Sequence, residues 1–183
     1  RYTIAVTAVD HKGRQSYYAE PGANILVASP SNGDGESITT TDIEGSGGYT
    51  NNDYTDSFGG TSSATPLVSG VIALMLEANS NLTWRDVQHI IVLTSRKNDA
   101  SDSSWGVNGA GHEVSHKYGY GVIDAGAAVS MAESWTSVEQ EISFSSGITT
   151  VDTDIPDNSP NYISSNTTVS DAILVENVDI IVD

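Results

Sequence analysis

The sequence has 183 residues, with 24 acidic and 7 basic side chains, a formal net charge of −17 and no cysteine. The acidic balance argues against nucleic acid as a partner, because phosphates and carboxylates repel each other. The absence of cysteine excludes disulfide frameworks, thiolate zinc sites and cysteine nucleophiles. The apolar fraction of 38% is enough for a core, and we expect no membrane-spanning segment, because no apolar run reaches the length needed.

The first third of the sequence predicts two buried strands followed by a long polar loop. TIAVTAV at 3–9 and NILVAS at 24–29 are short, apolar segments of the kind that forms buried strands. Residues 30–57 are rich in Ser, Gly, Thr, Asn and Asp, which indicates a loop, with a short hairpin at SITTTDI. Because the sequence opens in a strand, we expect it to be a piece of a longer protein.

Residues 62–79 predict the first helix. Apolar side chains occur on nearly every side from Pro66 to Leu76, and a helix of this kind is usually buried all round. Pro66 falls in the first turns, where a missing N–H is least harmful. Gly70 suggests close packing against a neighbouring element. We therefore expect this helix to lie at the centre of the core.

Two further helices are predicted downstream. Thr83 is a suitable N-cap for the segment that follows it, and Asp86 three residues later completes a capping-box pattern. Residues 97–112 have the composition of a loop. Asp124 is a suitable N-cap for a third helix that should end near Trp135.

The character of the sequence changes after Trp135. Short β-branched runs separated by polar turns replace the helical pattern. We place a domain boundary near residue 136, which divides the chain into residues 1–136 and residues 137–183.

The segment FGGTSSATP at 58–66 stands immediately before the first helix. One interpretation is a helix cap, since Ser is a preferred N-cap residue. The other is a nucleophile, because a helix N-terminus supplies free N–H groups and a partial positive charge that can stabilise an oxyanion. Gly59 and Gly60 would let the backbone approach a substrate closely. An alcohol also needs a base, so this segment alone does not decide between the two.

GTSSATP at 60–66 resembles the nucleophile motif of the subtilisin-like serine proteases. The resemblance implies that Ser62 is the nucleophile and that its backbone N–H is one oxyanion donor. Gly60, Thr61 and Pro66 match the supporting positions of the motif, and Ser63 falls on a variable small position.

Three longer segments resemble the kexin and furin branch of that family, the proprotein convertases. They are PLVSGVIALMLEANSNLTWRDVQHIIVLTS, VSHKYGYGVIDAGAAV and YTIAVTAVDHKG, and the resemblance covers about residues 2–137. It implies an α/β fold with a parallel sheet, of which this chain would contain the C-terminal portion of the catalytic domain. NTTVSDAILVENVDIIVD resembles the first strands of the jelly-roll-like P domain. The chain departs from the branch in lacking cysteines before the serine motif.

The family resemblance implies a function and a set of sites. The activity would be that of a serine endopeptidase that cleaves polypeptides after basic, paired residues through an acyl-enzyme. Glu20 matches a calcium ligand, and Thr3 matches a ligand of a monovalent ion. The protein would be secreted or otherwise extracytoplasmic.

The catalytic Asp, the catalytic His and the oxyanion Asn of the family precede the serine in chain order. We expect them upstream of Arg1, in a missing part of the same catalytic domain, so that the isolated chain would be inactive. Four histidines are present, but nothing in the sequence places them within reach of Ser62; they are His11, His89, His112 and His116. Two alternatives stay open, a subtilisin-like protease of broad specificity and a catalytically inactive, calcium-stabilised binding module.

Overall fold

The computed structural model describes residues 2–139, which contain six strands and three helices. In chain order these are β1 (Ala5–Val9), β2 (Ile25–Pro30), β3 (Ile38–Thr41), β4 (Tyr54–Phe58), α1 (Thr61–Ala78), α2 (Trp84–Thr94), β5 (Trp105–Val107), β6 (Glu113–Ser115) and α3 (Ala125–Glu133). The predicted domain at 137–183 lies almost entirely outside the described residues, and the boundary near residue 136 stays a prediction.

A small parallel sheet organises the described part of the chain. β1 and β2, which their apolar composition predicted as buried strands, pair in parallel, as the family resemblance implied. Residues 120–123 run along the other edge of β2, where the N–H of Ile123 donates to the carbonyl of Ala28 at 3.0 Å. Gly119 allows this approach, because a Cβ there would lie 2.3 Å from the carbonyl oxygen of Leu26.

The helices pack on this sheet and build the core. α1 contacts both strands and α3, and α2 contacts β2 and α3. The side chains that they bury together are mainly aliphatic: Val27, Val68, Met75, Leu82, Val87, Ile90, Ile91, Ile123, Ala128 and Ala132.

The predicted caps of α2 and α3 are confirmed. Thr83 Oγ1 accepts the N–H of Asp86, and the carboxylate of Asp86 accepts the N–H of Thr83 at 2.7 Å, which completes the capping box. Asp124 Oδ1 accepts the N–H of Ala127 at 2.9 Å. α3 ends at Glu133, close to the predicted end.

The prediction that α1 is buried on all sides is wrong for the described structure. Only four of its side chains are buried, namely Ser63, Ala64, Val68 and Met75. Leu67 and Leu74 are 45% and 49% exposed, and Gly70 has open space where a Cβ would stand rather than a close neighbour. The reason is that β1, β2 and α3 cover one side of α1, and no other element within residues 2–139 covers the opposite side to the same extent.

The expectation about membrane-spanning segments also needs correction. With 18 residues and a strongly apolar composition, α1 is long and apolar enough to cross a membrane on those two criteria alone. This is weak evidence, because the core helices of globular proteins meet the same criteria.

Two antiparallel hairpins complete the described elements. β3 lies in the segment predicted to form a hairpin and pairs with β4, which leads directly into the serine motif. β5 and β6 form a second hairpin inside and just beyond the segment predicted as a loop. Both β4 and this second hairpin were missed in the sequence because their residues are mostly polar or Gly.

Candidate active site

Ser62 is the second residue of α1 and is exposed to solvent. The N-cap position is held by Gly60, with φ 77° and ψ 175°, and no side chain caps this end of the helix. The interpretation of Ser62 as a helix cap is therefore wrong. Within residues 2–139, Ser62 Oγ makes no hydrogen bond. The hydroxyl therefore faces solvent, where it is accessible to a substrate.

The two glycines before the helix are required by geometry. Gly60 combines a positive φ with an extended ψ, a region populated almost only by glycine. At Gly59, a Cβ would lie 2.0 Å from Oδ1 of Asn32. Gly59 is thus small because the side chain of Asn32 packs against it, a reason that the sequence did not reveal.

Ser63, unlike Ser62, is buried and is 3% exposed. Its Oγ lies 2.6 Å from Oγ of Ser31 and donates to the carbonyl of Gly60 at 3.1 Å. Ser31 Oγ in turn donates to the same carbonyl at 2.7 Å. Consecutive helix residues are rotated by about 100°, which explains why one serine is exposed and the next is buried.

Asn32 binds the other side of Gly60. Its Oδ1 accepts the N–H of Gly60 at 2.6 Å. We call Ser31, Asn32 and Ser63 the Gly60 cradle, because together they hold both polar groups of that residue. Tyr18 hydrogen-bonds to the cradle. Its hydroxyl lies 2.8 Å from Ser31 Oγ and 3.0 Å from the carbonyl oxygen of Asn32.

The first turn of α1 is suited to bind an anion. It has no acidic residue and no capping side chain, so its N–H groups and the positive end of the helix dipole face solvent beside Ser62. The N–H of Ser63 bonds to the carbonyl of Gly60 at 3.1 Å, and the N–H of Ser62 stays the predicted oxyanion donor.

Pro66 is the sixth residue of α1, within the first two turns, as the sequence predicted. Its missing N–H is the one that would bond to the carbonyl of Ser62 in a regular helix. The carbonyl of the preceding residue, Thr61, accepts the hydroxyl of Thr65 at 3.0 Å, and this bond does not replace the missing one. The first turn is consequently attached to the rest of the helix less tightly than an ordinary turn would be.

None of the four histidines hydrogen-bonds to Ser62 within residues 2–139. His11 lies in the turn after β1, and His89 is half-buried on α2. His112 contacts the ring of Tyr120, with centroids 6.2 Å apart. The carbonyl of His116 accepts the N–H of Gly22 at 2.8 Å.

The predicted ion ligands are not brought into a ligand cluster. Glu20 is exposed in the connection between β1 and β2, and Thr3 is exposed before β1. Within residues 2–139 there is no group of three or more His, Asp or Glu side chains that could hold a metal ion. A calcium ion needs six to eight oxygen ligands, so Glu20 could contribute only one part of a site.

The Gly60 cradle and the contact of Tyr18 with it were not predicted from the sequence. One signal could have indicated Ser31 and Asn32, since they directly follow β2, and ligand sites of α/β sheets lie at the carboxyl ends of the strands. Nothing in the sequence distinguished Ser63 as a buried hydroxyl.

Comparisons with known proteins agree with the fold and the motif. The subtilase (peptidase S8) family model matches residues 1–121. Human furin is 42% identical over 139 residues, 75% of this chain and 17% of furin. Human proprotein convertase subtilisin/kexin type 6 is 46% identical over 142 residues, 76% of this chain and 14% of that protein.

A solved structure gives the same result for the fold. The serine protease of Aeromonas sobria matches with a TM-score of 0.68 and 26% identity, over 74% of this chain and 30% of that chain. The chain thus spans less than a fifth of the length of the curated relatives named above and under a third of this structure. From the family match and the convertase similarity, the chain belongs to the subtilase family as a kexin/furin-type, subtilisin-like protease sequence.

Proposed function

We propose that this chain carries the nucleophile of a serine endopeptidase that cleaves polypeptides after basic, paired residues. The observation that carries the proposal is the exposed hydroxyl of Ser62 at an uncapped helix N-terminus. The names of the relatives, furin and a proprotein convertase, support the reaction class and the basic cleavage site. The net charge of −17 favours a basic substrate.

The reaction would proceed by acyl transfer. Ser62 Oγ bonds to the scissile carbonyl carbon while its proton passes to a histidine base. The N–H of Ser62 and an asparagine side chain hold the resulting oxyanion. Collapse of the tetrahedral intermediate breaks the C–N bond, and the base returns the proton to the leaving amine. Water then hydrolyses the acyl-serine by the same steps.

The histidine, its aspartate and the oxyanion asparagine would come from a further part of the catalytic domain, outside this chain. The exposed apolar side of α1 supports this proposal. Leu67, Gly70 and Leu74 follow a spacing of three and four residues and therefore share one face. An uncovered apolar face of this kind suits packing against another element of the same domain.

Several finer features belong to the same proposal. Glu20 would be one ligand of a calcium ion completed by other oxygen atoms, and Thr3 would contribute to a monovalent-ion site. Residues 137–183 would begin a P domain. The enzyme would act outside the cytoplasm.

Replacement of the nucleophile tests the function. In the complete protein, Ser62→Ala should lower kcat on an Arg-Arg peptide amide by at least ~10⁴-fold, as loss of a catalytic serine does. Ser69→Ala is the matched control, because Ser69 is exposed on the same helix and, among residues 2–139, its Oγ bonds only to the carbonyl of Thr65. A serine-reactive phosphonate should label the wild-type protein at Ser62.

Three outcomes would change the proposal. Equal activity of Ser62→Ala and the wild type would refute the nucleophile assignment. Cleavage of non-basic peptides at similar rates would indicate a broad-specificity subtilisin-like enzyme. Failure of the phosphonate to label Ser62 would favour an inactive binding module.

A further inference from the structure

We propose that Ser31 and Asn32 are positioning residues for Ser62, which act by fixing the peptide groups of Gly60 from the end of strand β2. This inference rests on the proposed function of Ser62 but concerns different residues. Neither side chain touches Ser62 Oγ; they act on the backbone that carries it.

The first step is that Gly60 is held on both of its polar groups. Its carbonyl accepts from Ser31 Oγ at 2.7 Å and from Ser63 Oγ and N–H at 3.1 Å each. Its N–H donates to Oδ1 of Asn32 at 2.6 Å. Rotation of the peptide group on either side of Gly60 would break at least one of these bonds. The hydrogen bonds therefore fix the direction in which the backbone enters α1.

The second step is that local structure alone would not hold this turn. Glycine, the residue type at position 60, has more conformational freedom than any other. No side chain caps the N-terminus of α1. Pro66 removes the hydrogen bond that would tie the carbonyl of Ser62 to the next turn. The orientation of the first turn therefore depends on contacts from β2, 28 to 32 residues earlier in the chain.

The third step concerns the hydroxyl protons. Ser31 has one proton, and its 2.7 Å contact directs that proton to the carbonyl of Gly60. The neighbouring hydroxyls have other acceptors. Ser63 can donate to the carbonyl of Gly60 at 3.1 Å, and Tyr18 can donate to the carbonyl of Asn32 at 3.0 Å. Removing the Ser31 hydroxyl would therefore leave no buried donor without an acceptor. The Ser31→Ala variant should fold, with the first turn of α1 held less firmly.

The consequence for catalysis follows from distance. A nucleophile must stand about 3–3.5 Å from the carbonyl carbon, and a misplacement of about 1 Å can lower the rate by ~10²-fold. The cradle is uncharged, so its effect on Ser62 would be one of position rather than of electric field.

The test compares Ser31→Ala with Ser29→Ala in the complete protein. Ser29 is a buried serine on the same strand, and its Oγ has no hydrogen-bond partner among the described residues. We expect Ser31→Ala to lower kcat on an Arg-Arg peptide amide about 10–100-fold, with KM changed less than about twofold. Phosphonate labelling of Ser62 should slow by the same factor. Ser29→Ala should leave all three values at wild-type levels.

An activity-independent measurement keeps this inference separate from the proposed function. Hydrogen exchange of the peptide 58–66 should be faster in Ser31→Ala than in Ser29→Ala. Wild-type kcat, labelling and exchange in Ser31→Ala would overturn the positioning role while Ser62 keeps its function. Equal slowing in Ser29→Ala would also overturn it, as a general effect of strand packing. Absence of labelling in the wild type would instead refute the proposed function.

Discussion

The N-termini of α1 and α2 are built in opposite ways. At α2, the reciprocal capping box satisfies the N–H groups of Thr83 and Asp86. At α1, Gly60 leaves the N–H groups without any capping side chain, and hydrogen bonds hold the Gly60 carbonyl instead. Because a capping side chain occupies N–H groups that could otherwise bind a ligand, the comparison separates an end that stabilises the fold from an end that is open for chemistry.

Asp86 is the clearest sign of the stabilising type. It is 0% exposed, and beyond the capping box its Oδ1 accepts Trp135 Nε1 at 2.9 Å and the N–H of Val138 at 2.8 Å. This one carboxylate thus joins the start of α2 to the segment after α3.

The largest effect should come from removing this carboxylate. Asp86→Ala leaves several buried donors without an acceptor, and we expect the free energy of unfolding of the complete protein to fall by about 3 kcal/mol. Urea denaturation followed by tryptophan fluorescence would measure it. The control is Asp124→Ala at the start of α3, where the carboxylate accepts one backbone N–H and pairs with the exposed Arg96, and the expected loss is about 1 kcal/mol. Similar losses at both positions would contradict the special role of Asp86.

A smaller effect is expected from changing the open end of α1. Gly60→Ala forces a residue with a Cβ into φ 77° and ψ 175°, which should lower the free energy of unfolding by about 2 kcal/mol. The strain is conformational, because the nearest atom to that Cβ is 3.7 Å away. Gly109→Ala is the control, since its Cβ would meet open space without a positive φ. If both variants unfold at the same urea concentration, the backbone of Gly60 is not restrained as described.

The smallest effect is a pH dependence carried by Asp86. Burial opposes its ionisation, but hydrogen bonds from Thr83, Val138 and Trp135 outweigh burial and hold the pKa of Asp86 well below its usual range. The stabilisation is therefore present above the unfolded-state pKa of about 3.9 and is lost as the pH falls towards the folded-state pKa. From pH 7 to pH 3 we expect this group to remove about 1 kcal/mol of unfolding free energy.

The Asp86→Asn variant should unfold with a weaker dependence on pH in this interval. An unchanged slope in a series of urea denaturations between pH 3 and pH 7 would show that other carboxylates cause the acid sensitivity.

Local patterns in the sequence predicted local structure well. The caps at Thr83 and Asp124 depend on residues three positions apart, so both were visible before folding was considered. The motif around Ser62 was visible for the same reason. The two parallel strands followed from their continuous apolar composition.

The rest depends on distant partners. The bond between Ser31 and Ser63 joins residues 32 positions apart, and a pair of small polar residues carries no sign of being buried. β4 forms because β3 pairs with it, although YTDSF lacks an apolar alternation. The exposed side of α1 was missed because composition shows that a helix is apolar but not which elements cover it.

The close approach of Gly59 and Asn32 has a consequence for protein engineering. The seven residues GTSSATP would not reproduce the site if they were grafted alone onto another scaffold, because the backbone before the helix is shaped by Asn32, which lies just after β2. A functional transplant would have to carry SPSNG from the end of β2 along with it. For the same reason, we expect substitutions in SPSNG and in the backbone before α1 to be tolerated together rather than one at a time.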